Sequence, residues 1–131
     1  MTSSNGVKHR LLILDSVRSR KLFDTMLGDA YEVLYADSPE DALALIPLKN
    51  PDLVLLNYSL GATDGLTVAG KIREGGSPNV PILLLINGDR PTLKKQAAKA
   101  GCHGCVSKPI DPKKLLDQIE ATLNSLNGAD R

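Results

Sequence analysis

Three uninterrupted apolar runs constrain this chain more than any other feature. They cover residues 11–14, 53–56 and 82–86, and each is too short to form a buried helix. Apolar runs of this length that end in polar residues are typical of strands covered on both faces. They therefore predict a parallel sheet that lies between two layers of helices.

Segments with helical spacing lie between and after these runs. In the first of them, Leu22, Phe23, Met26 and Leu27 precede Gly28, a residue typical of a helix C-terminus. Ser38 and Pro39 predict the start of a second helix, since serine can cap it and proline suits its first turn. We expect Pro47 to close that helix soon after.

The alternation continues to the end of the chain. The pattern predicts strands at residues 31–36 and 105–107 and helices at 66–74, at 92–100 before Gly101, and from Asp111-Pro112 to just before Gly128. Strict alternation of strands and helices requires right-handed crossovers and a parallel sheet. The predicted fold class is α/β, a single doubly wound five-stranded parallel sheet with helices on both faces.

Composition fits one domain without a polyanionic partner. The chain has 131 residues, 16 Lys+Arg against 15 Asp+Glu, and an aromatic content of 3%. The formal net charge of +1 and the scarcity of rings disfavour nucleic-acid binding. Without a hydrophobic signal region or membrane span, a cytoplasmic location is expected. We predict a flexible leader at 1–7, a domain at 8–126 and a tail at 127–131.

Ligands of open parallel sheets bind beyond the carboxyl ends of the strands. The residues at or after the predicted strand ends are Asp15, Ser16, Asn57, Ile86 and Lys108. These side chains are the first candidates for a site.

The ordered set of motifs resembles the receiver domain of bacterial two-component response regulators, which has a CheY-like fold, over residues 8–126. Residues 11–16 resemble its first strand and acidic pair, 51–57 its phosphoacceptor strand, and 64–66 the loop into its third helix. Pro81-Ile82, Gly101 and Lys108-Pro109 resemble its fourth-strand start and fifth-strand ending. The resemblance implies strand order 2-1-3-4-5.

The resemblance also implies that most of the family's chemistry is missing. Asn57 stands at the phosphoacceptor position, and an amide is a poor nucleophile for phosphorus. Ser16 replaces the second acid of the pair, while Ile86 and Cys105 replace the hydroxyl and the aromatic ring of the family's switch. Gly61 stands where the family usually has proline, so the loop 58–64 is expected to be more mobile or differently shaped.

The sum of charges at these strand ends determines whether they can bind a metal ion. A complete receiver has three carboxylates and one lysine that Mg²⁺ balances, whereas Asp15 and Lys108 balance each other. We predict no metal or cofactor, and a direct ion pair between Asp15 and Lys108 supported by hydrogen bonds from Ser16 and Asn57.

The two cysteines, Cys102 and Cys105, have C-x-x-C spacing. A zinc site needs about four ligands, and a redox pair would begin a helix rather than enter a strand. We expect two small, partly buried thiols.

Charge is distributed unevenly along the chain. Residues 86–115 contain seven Lys+Arg and two acids, whereas residues 29–64 contain seven acids and one lysine. One interpretation is that these charges simply lie on helix faces exposed to water. The other interpretation is a basic face of Arg90, Lys94, Lys95, Lys99, Lys113 and Lys114 that meets an acidic partner. Receivers commonly use the fourth helix, fifth strand and fifth helix for dimers or effectors, so the resemblance favours this reading.

These inferences predict a pseudo-receiver, a non-enzymatic protein-interaction module in bacterial signalling or transcriptional control. Its partner, or a second copy as a homodimer, would bind the basic face, without direct contact to nucleic acid or membrane. The alternative is a small-molecule or anion sensor that uses the pocket between Ser16, Asn57, Ile86 and Lys108. A residual phosphoacceptor at Asp15 or Asp64 is disfavoured because neither aligns with the nucleophile.

Overall fold

The central element of the computed structural model, which describes residues 8–76 and 79–129, is a five-stranded parallel sheet. Its strands are β1 Arg10–Leu14, β2 Glu32–Tyr35, β3 Leu53–Asn57, β4 Ile82–Asn87 and β5 Gly104–Lys108. The spatial order is β2-β1-β3-β4-β5, and every neighbouring pair is parallel. The predicted fold class and strand order are confirmed.

Five helices connect and follow the strands. They are α1 Arg20–Leu27, α2 Pro39–Lys49, α3 Gly65–Glu74, α4 Pro91–Lys99 and α5 Pro112–Ala129, with a 3-10 turn Val17–Ser19 before α1. No helix in the described ranges combines the length and the apolarity needed to cross a bilayer. The predicted leader 1–7 and the last two residues of the predicted tail lie outside the described residues.

The apolar runs are buried because their alternate side chains pack on opposite faces of the sheet. Leu11 and Ile13 contact the side chains of α1 and α5, whose buried members are Phe23, Leu27, Leu115, Ile119 and Leu123. Leu12 and Leu14 face the other layer, where α2, α3 and α4 contribute Ala42, Ile46, Val68, Ala69, Ile72, Leu93 and Ala97. Two apolar faces per strand explain why the runs show no polar alternation.

Helix α2 begins where its capping residues predict. The Ser38 hydroxyl accepts a hydrogen bond of 3.0 Å from the Asp41 backbone N–H, and Pro39 is the first helical residue. Pro47 lies inside the helix rather than after it, because the chain continues helically to Lys49. Asn50, with a left-handed φ of 49°, ends α2. Helix α5 likewise extends past Gly128, where the sequence predicted its end.

The loop after β3 contains an element that the sequence analysis did not predict. Ser59–Leu60 pairs antiparallel with Thr63–Asp64, so the loop is a two-residue-by-two-residue hairpin. Gly61 lies in its turn with a φ of +77°, a left-handed conformation that glycine adopts without strain. Gly61 therefore gives this loop a defined turn.

Candidate functional site

The carboxyl edge of the sheet contains a short ion pair between the ends of two distant strands. Lys108 Nζ lies 2.9 Å from Asp15 Oδ2, which joins the residue after β1 to the last residue of β5. The Asp15 side chain is only 3% exposed and that of Lys108 is 24% exposed. The structure thus brings the two residues together as the charge balance predicted, and we call this contact the strand-end ion pair.

The predicted hydrogen-bond partners of this pair are arranged differently. Ser16 contributes its backbone N–H, which donates to Asp15 Oδ1 over 2.7 Å, while its hydroxyl lies 3.2 Å from the Ser19 hydroxyl. Asn57 makes no hydrogen bond to the pair, because its Nδ2 donates to the Ser59 carbonyl over 2.8 Å. The prediction for Asn57 was wrong since the nearby hairpin offers this amide a closer backbone acceptor.

Gly65 lets the third strand end and the α3 helix approach each other closely. A Cβ atom at this position would lie 2.6 Å from the Asn57 carbonyl oxygen and 2.6 Å from a Leu84 methyl carbon. Asp64, just before it, accepts a hydrogen bond of 2.8 Å from the Thr67 N–H and caps α3. Asp64 is therefore occupied as a helix cap.

An open cleft of about 290 Å³ lies beside the ion pair. Its polar lining comes from the ends of β1, β2 and β3 and from the loops after them, namely Asp15, Ser16, Asp37, Ser38, Asn57 and Ser59. Ile86 and Lys108 do not line it, contrary to the pocket that the sequence predicted. Ile86 is 1% exposed and packs in the core beneath α2, α3 and α4, because an isoleucine at a covered strand end follows its neighbours inward.

The oxygen atoms in this cleft do not fit a receiver-type Mg²⁺ ion. Asp15 is its only buried carboxylate, and both of its oxygens already accept hydrogen bonds. The Ser59 carbonyl accepts from Asn57, whose own side chain is neutral. Within the described ranges, no group of three His, Cys, Asp or Glu side chains is placed to hold a metal. Mg²⁺ requires several hard anionic or free oxygen ligands, and this donor set does not offer them.

The predicted basic face is solvent-exposed throughout. Its six residues, Arg90, Lys94, Lys95, Lys99, Lys113 and Lys114, are all exposed. Lys94 Nζ lies 2.7 Å from Asp89 Oδ1, and this hydrogen bond raises the pKa of Lys94. Arg90 lies over the Tyr58 ring, with its guanidinium carbon 5.4 Å from the ring centroid. Arg90 thereby links the start of α4 to the loop after β3.

The cysteines are free thiols, Cys102 buried and Cys105 partly buried. Burial raises the pKa of Cys102 to about 11, with a further contribution from Cys105. Burial also raises the pKa of Cys105, which nearby Lys94 partly offsets. Raised thiol pKa values disfavour the thiolate that redox or zinc chemistry requires.

Sequence analysis missed one group of residues at the same edge. Arg20 Nη2 lies 2.7 Å from Asp37 Oδ1, and its guanidinium carbon lies 5.0 Å from the centroid of the Tyr35 ring. The Tyr35 hydroxyl donates to Asp24 Oδ1 over 2.6 Å, and burial together with this carboxylate raises the pKa of Tyr35. Asp37 lies two residues after the end of β2, so applying the strand-end rule to the second strand would have found it.

Comparison with known proteins agrees with this architecture. Residues 11–120 match the family described as the response regulator receiver domain. The chain belongs to this family. This receiver has the five-stranded parallel sheet that the family resemblance implied.

Two curated relatives illustrate the range of similar receivers. The phosphate regulon transcriptional regulatory protein PhoB of Pseudomonas aeruginosa is 29% identical over 122 residues, which cover 92% of this chain and 53% of PhoB. Protein PilH of the same organism is 26% identical over 117 residues, which cover 87% of this chain and 97% of PilH. The chain spans about half the length of several curated relatives that it matches.

Solved structures are similar over nearly the whole domain. A putative response regulator from Chloroflexus aurantiacus has a TM-score of 0.83 at 29% identity and covers 89% of this chain and 98% of its own. Chemotaxis protein CheY4 of Vibrio cholerae has a TM-score of 0.81 at 25% identity, with coverage of 88% and 99%. These similarities establish the receiver fold, and the alignment of Asn57 with the phosphoacceptor position stays a prediction.

Proposed function

We propose that this receiver is a pseudo-receiver that signals through protein contacts and does not accept a phosphoryl group. The strand-end ion pair carries the proposal. Phosphoryl transfer in a receiver needs a carboxylate nucleophile and a metal-binding group of carboxylates. Here the third strand ends in the amide of Asn57, and the remaining carboxylate, Asp15, is neutralised by Lys108 at 2.9 Å.

The lost switch residues support the same proposal. Ile86 is buried among apolar side chains and has no hydroxyl to contact a phosphoryl oxygen. Cys105, partly buried, replaces the aromatic ring. Without these two side chains, the fourth and fifth strands lack the groups through which phosphorylation would change their conformation. The module is therefore proposed to be non-enzymatic and to present one constant surface in bacterial signalling or transcriptional control.

That surface is the basic face on α4 and at the start of α5. Its exposed cations fit an acidic protein partner, and they would govern the rate and the salt dependence of association more than the final affinity. The domain is proposed to bind neither nucleic acid nor membrane directly. It is also proposed to act in the cytoplasm, as the sequence led us to expect.

The test is to incubate the protein with acetyl phosphate and Mg²⁺ and to measure its intact mass. We expect no phosphoryl adduct at any time point. A Mg²⁺-dependent adduct on the unmodified chain would overturn the proposal. The matched variant Ser16→Asp/Asn57→Asp restores two carboxylates at the same strand ends, and we expect it to gain a metal-dependent adduct.

The second candidate function is ligand sensing in the cleft. Its hydroxyl and amide lining, from Ser16, Ser38 and Asn57, favours a neutral polar molecule. An anion is disfavoured because the Asp37 carboxylate, whose side chain is 79% exposed, also lines the cleft. In a thermal-shift screen of neutral metabolites and anions, a stabilising ligand whose effect disappears in Asn57→Ala would favour sensing over a pure interaction role.

A further inference from the structure

The end of β3 and the hairpin after it form part of the lining of the cleft. Asn57, Ser59, Leu60 and Gly61 all line it, together with residues from the ends of β1 and β2 and the loops after them. Asn57 is tied to the hairpin because its Nδ2 donates a hydrogen bond of 2.8 Å to the Ser59 carbonyl. A change in the hydrogen bonding of Asn57 therefore reaches the hairpin directly.

Tyr58, between Asn57 and Ser59, connects this segment to a different part of the molecule. Its N–H donates to the Leu85 carbonyl over 2.8 Å, and its carbonyl accepts a hydrogen bond of 2.8 Å from the Gly65 N–H. Its partly buried side chain packs against the apolar layer beneath α2, α3 and α4. The ring lies next to Arg90, whose guanidinium carbon is 5.4 Å from its centroid.

Arg90 belongs to the basic face and also begins α4. It is the N-cap residue, and its carbonyl accepts a hydrogen bond of 3.0 Å from the Lys94 N–H in the first turn of the helix. Its side chain makes no capping hydrogen bond, and the first turn of α4 contains no acidic residue. Arg90 forms no ion pair with a residue that the structure describes. Among the described residues, the Tyr58 ring is thus the contact that orients this side chain.

We propose that the hairpin transmits the state of the cleft to the basic face through the contact between the Tyr58 ring and Arg90. The state of the cleft means whether the Asn57 amide bonds to Ser59 or to a molecule in the cleft. This inference rests on the proposed function, since the basic face is its binding surface. That surface is then independent of phosphorylation and responds to what Asn57 binds. Asn57, Tyr58 and Arg90 act as positioning residues.

The size of the coupling follows from the contact that carries it. A cation–π contact at an exposed site is weak, so we expect changes at the cleft to alter the opening of the first turn of α4 by about two- to fivefold. Amide hydrogen exchange of the full chain, followed by NMR, measures this opening. The Lys94 amide reports on the first turn, and the Leu55 amide in the central strand β3 reports on global unfolding.

The first variant changes the cleft without touching α4. Asn57→Ala removes the hydrogen bond to Ser59, and we expect faster exchange at Lys94 relative to Leu55. Ser16→Ala is the matched control, because Ser16 lines the same cleft but its hydroxyl contacts Ser19 rather than the hairpin. We expect this control to leave the exchange at Lys94 unchanged.

Tyr58 variants test the route. Tyr58→Leu keeps an apolar side chain and removes the ring, so we expect exchange at Lys94 to rise. In Asn57→Ala/Tyr58→Leu we expect no further rise, because the connection is already broken. Tyr58→Phe keeps the ring, so adding Asn57→Ala to it should still accelerate exchange at Lys94.

A second change at the cleft keeps the test decisive if Asn57→Ala does not fold. Gly61 has a φ of +77°, and a Cβ atom there would meet no other atom within 4 Å. Gly61→Ala therefore strains the turn of the hairpin without a clash. We expect it to accelerate exchange at Lys94 in the presence of the Tyr58 ring and to have no effect in Tyr58→Leu.

Three results would overturn the inference: exchange at Lys94 that neither Asn57→Ala nor Gly61→Ala changes, an equal acceleration with and without the Tyr58 ring, or an equal acceleration in Ser16→Ala. Each would show that α4 opens independently of the hairpin. None of these results depends on phosphoryl transfer, which the mass measurement tests separately.

Discussion

Two lysine–carboxylate contacts in this receiver have nearly the same length and different surroundings. Lys108 lies 2.9 Å from Asp15 between two strand ends, and Lys94 lies 2.7 Å from Asp89 at the start of α4. The Asp15 side chain is 3% exposed, whereas that of Asp89 is 76% exposed. The comparison teaches that burial, rather than distance, decides which of the two contacts is structural.

The physical reason is the solvent around each charge. Water solvates Asp89 and Lys94 whether or not they touch, so their contact adds little to stability. Asp15 has lost its water, and Lys108 together with the Ser16 N–H replaces it. The buried contact holds the strand ends together, while the exposed one lies in solvent at the start of α4.

The largest expected effect comes from removing Lys108. Lys108→Ala leaves the Asp15 carboxylate buried without its cation, and we expect a loss of about 2–3 kcal/mol in the free energy of unfolding, reduced from the fully buried case because the lysine is partly exposed. Urea denaturation measures it, with Lys49→Ala as the control on an exposed lysine. Equal losses in the two variants would contradict the structural role of the strand-end ion pair.

Replacing both partners should cost less than removing one. Asp15→Asn/Lys108→Met keeps an acceptor for the Ser16 N–H and leaves no buried charge, so we expect a loss of about 1 kcal/mol. A double-mutant cycle with the two single variants measures the coupling. Additive losses would mean that the two side chains contribute independently.

Salt sharpens the comparison further. At 1 M salt the Debye length falls to about 3 Å, which screens exposed charges much more than buried ones. We expect the destabilisation by Lys108→Ala to persist in NaCl. Denaturation at low and high ionic strength checks this. A destabilisation that disappears with salt would mean that the Asp15–Lys108 pair is screened like a solvent-exposed pair.

The smallest expected effect belongs to Lys94. Lys94→Ala removes a contact that water already solvates, so we expect no measurable change in the denaturation midpoint. A clear loss of stability would show that the α4 contact is structural after all.

The fold could be predicted from the sequence because the apolar runs mark strands that are buried on both faces of the sheet. Continuous burial of strands such as residues 82–86 and the capping residues Ser38 and Pro39 are local properties, and the structure confirms them. The Asp15–Lys108 contact was also predictable, since parallel strands bring their carboxyl ends to one edge and the two charges balance.

The orientation of uncharged polar side chains was not predictable in the same way. Asn57 could reach several acceptors, and the choice of the Ser59 carbonyl depends on a hairpin that two short strands form only in three dimensions. Ile86 was assigned to a pocket from its strand-end position, whereas packing under the helices buries it. Pro47 shows a related limit, because packing of α2 keeps the helix intact beyond it.

The most direct test of the account is whether the strand-end site binds Mg²⁺ and a phosphoryl analogue together. Backbone amide NMR spectra recorded while MgCl₂ and beryllofluoride are added report on Ser16, Asn57 and Lys108. We predict no saturable change at these three amides, with Ser16→Asp/Asn57→Asp as the variant expected to respond. Saturable shifts at Asn57 of the unmodified chain, dependent on both additives, would contradict the central claim.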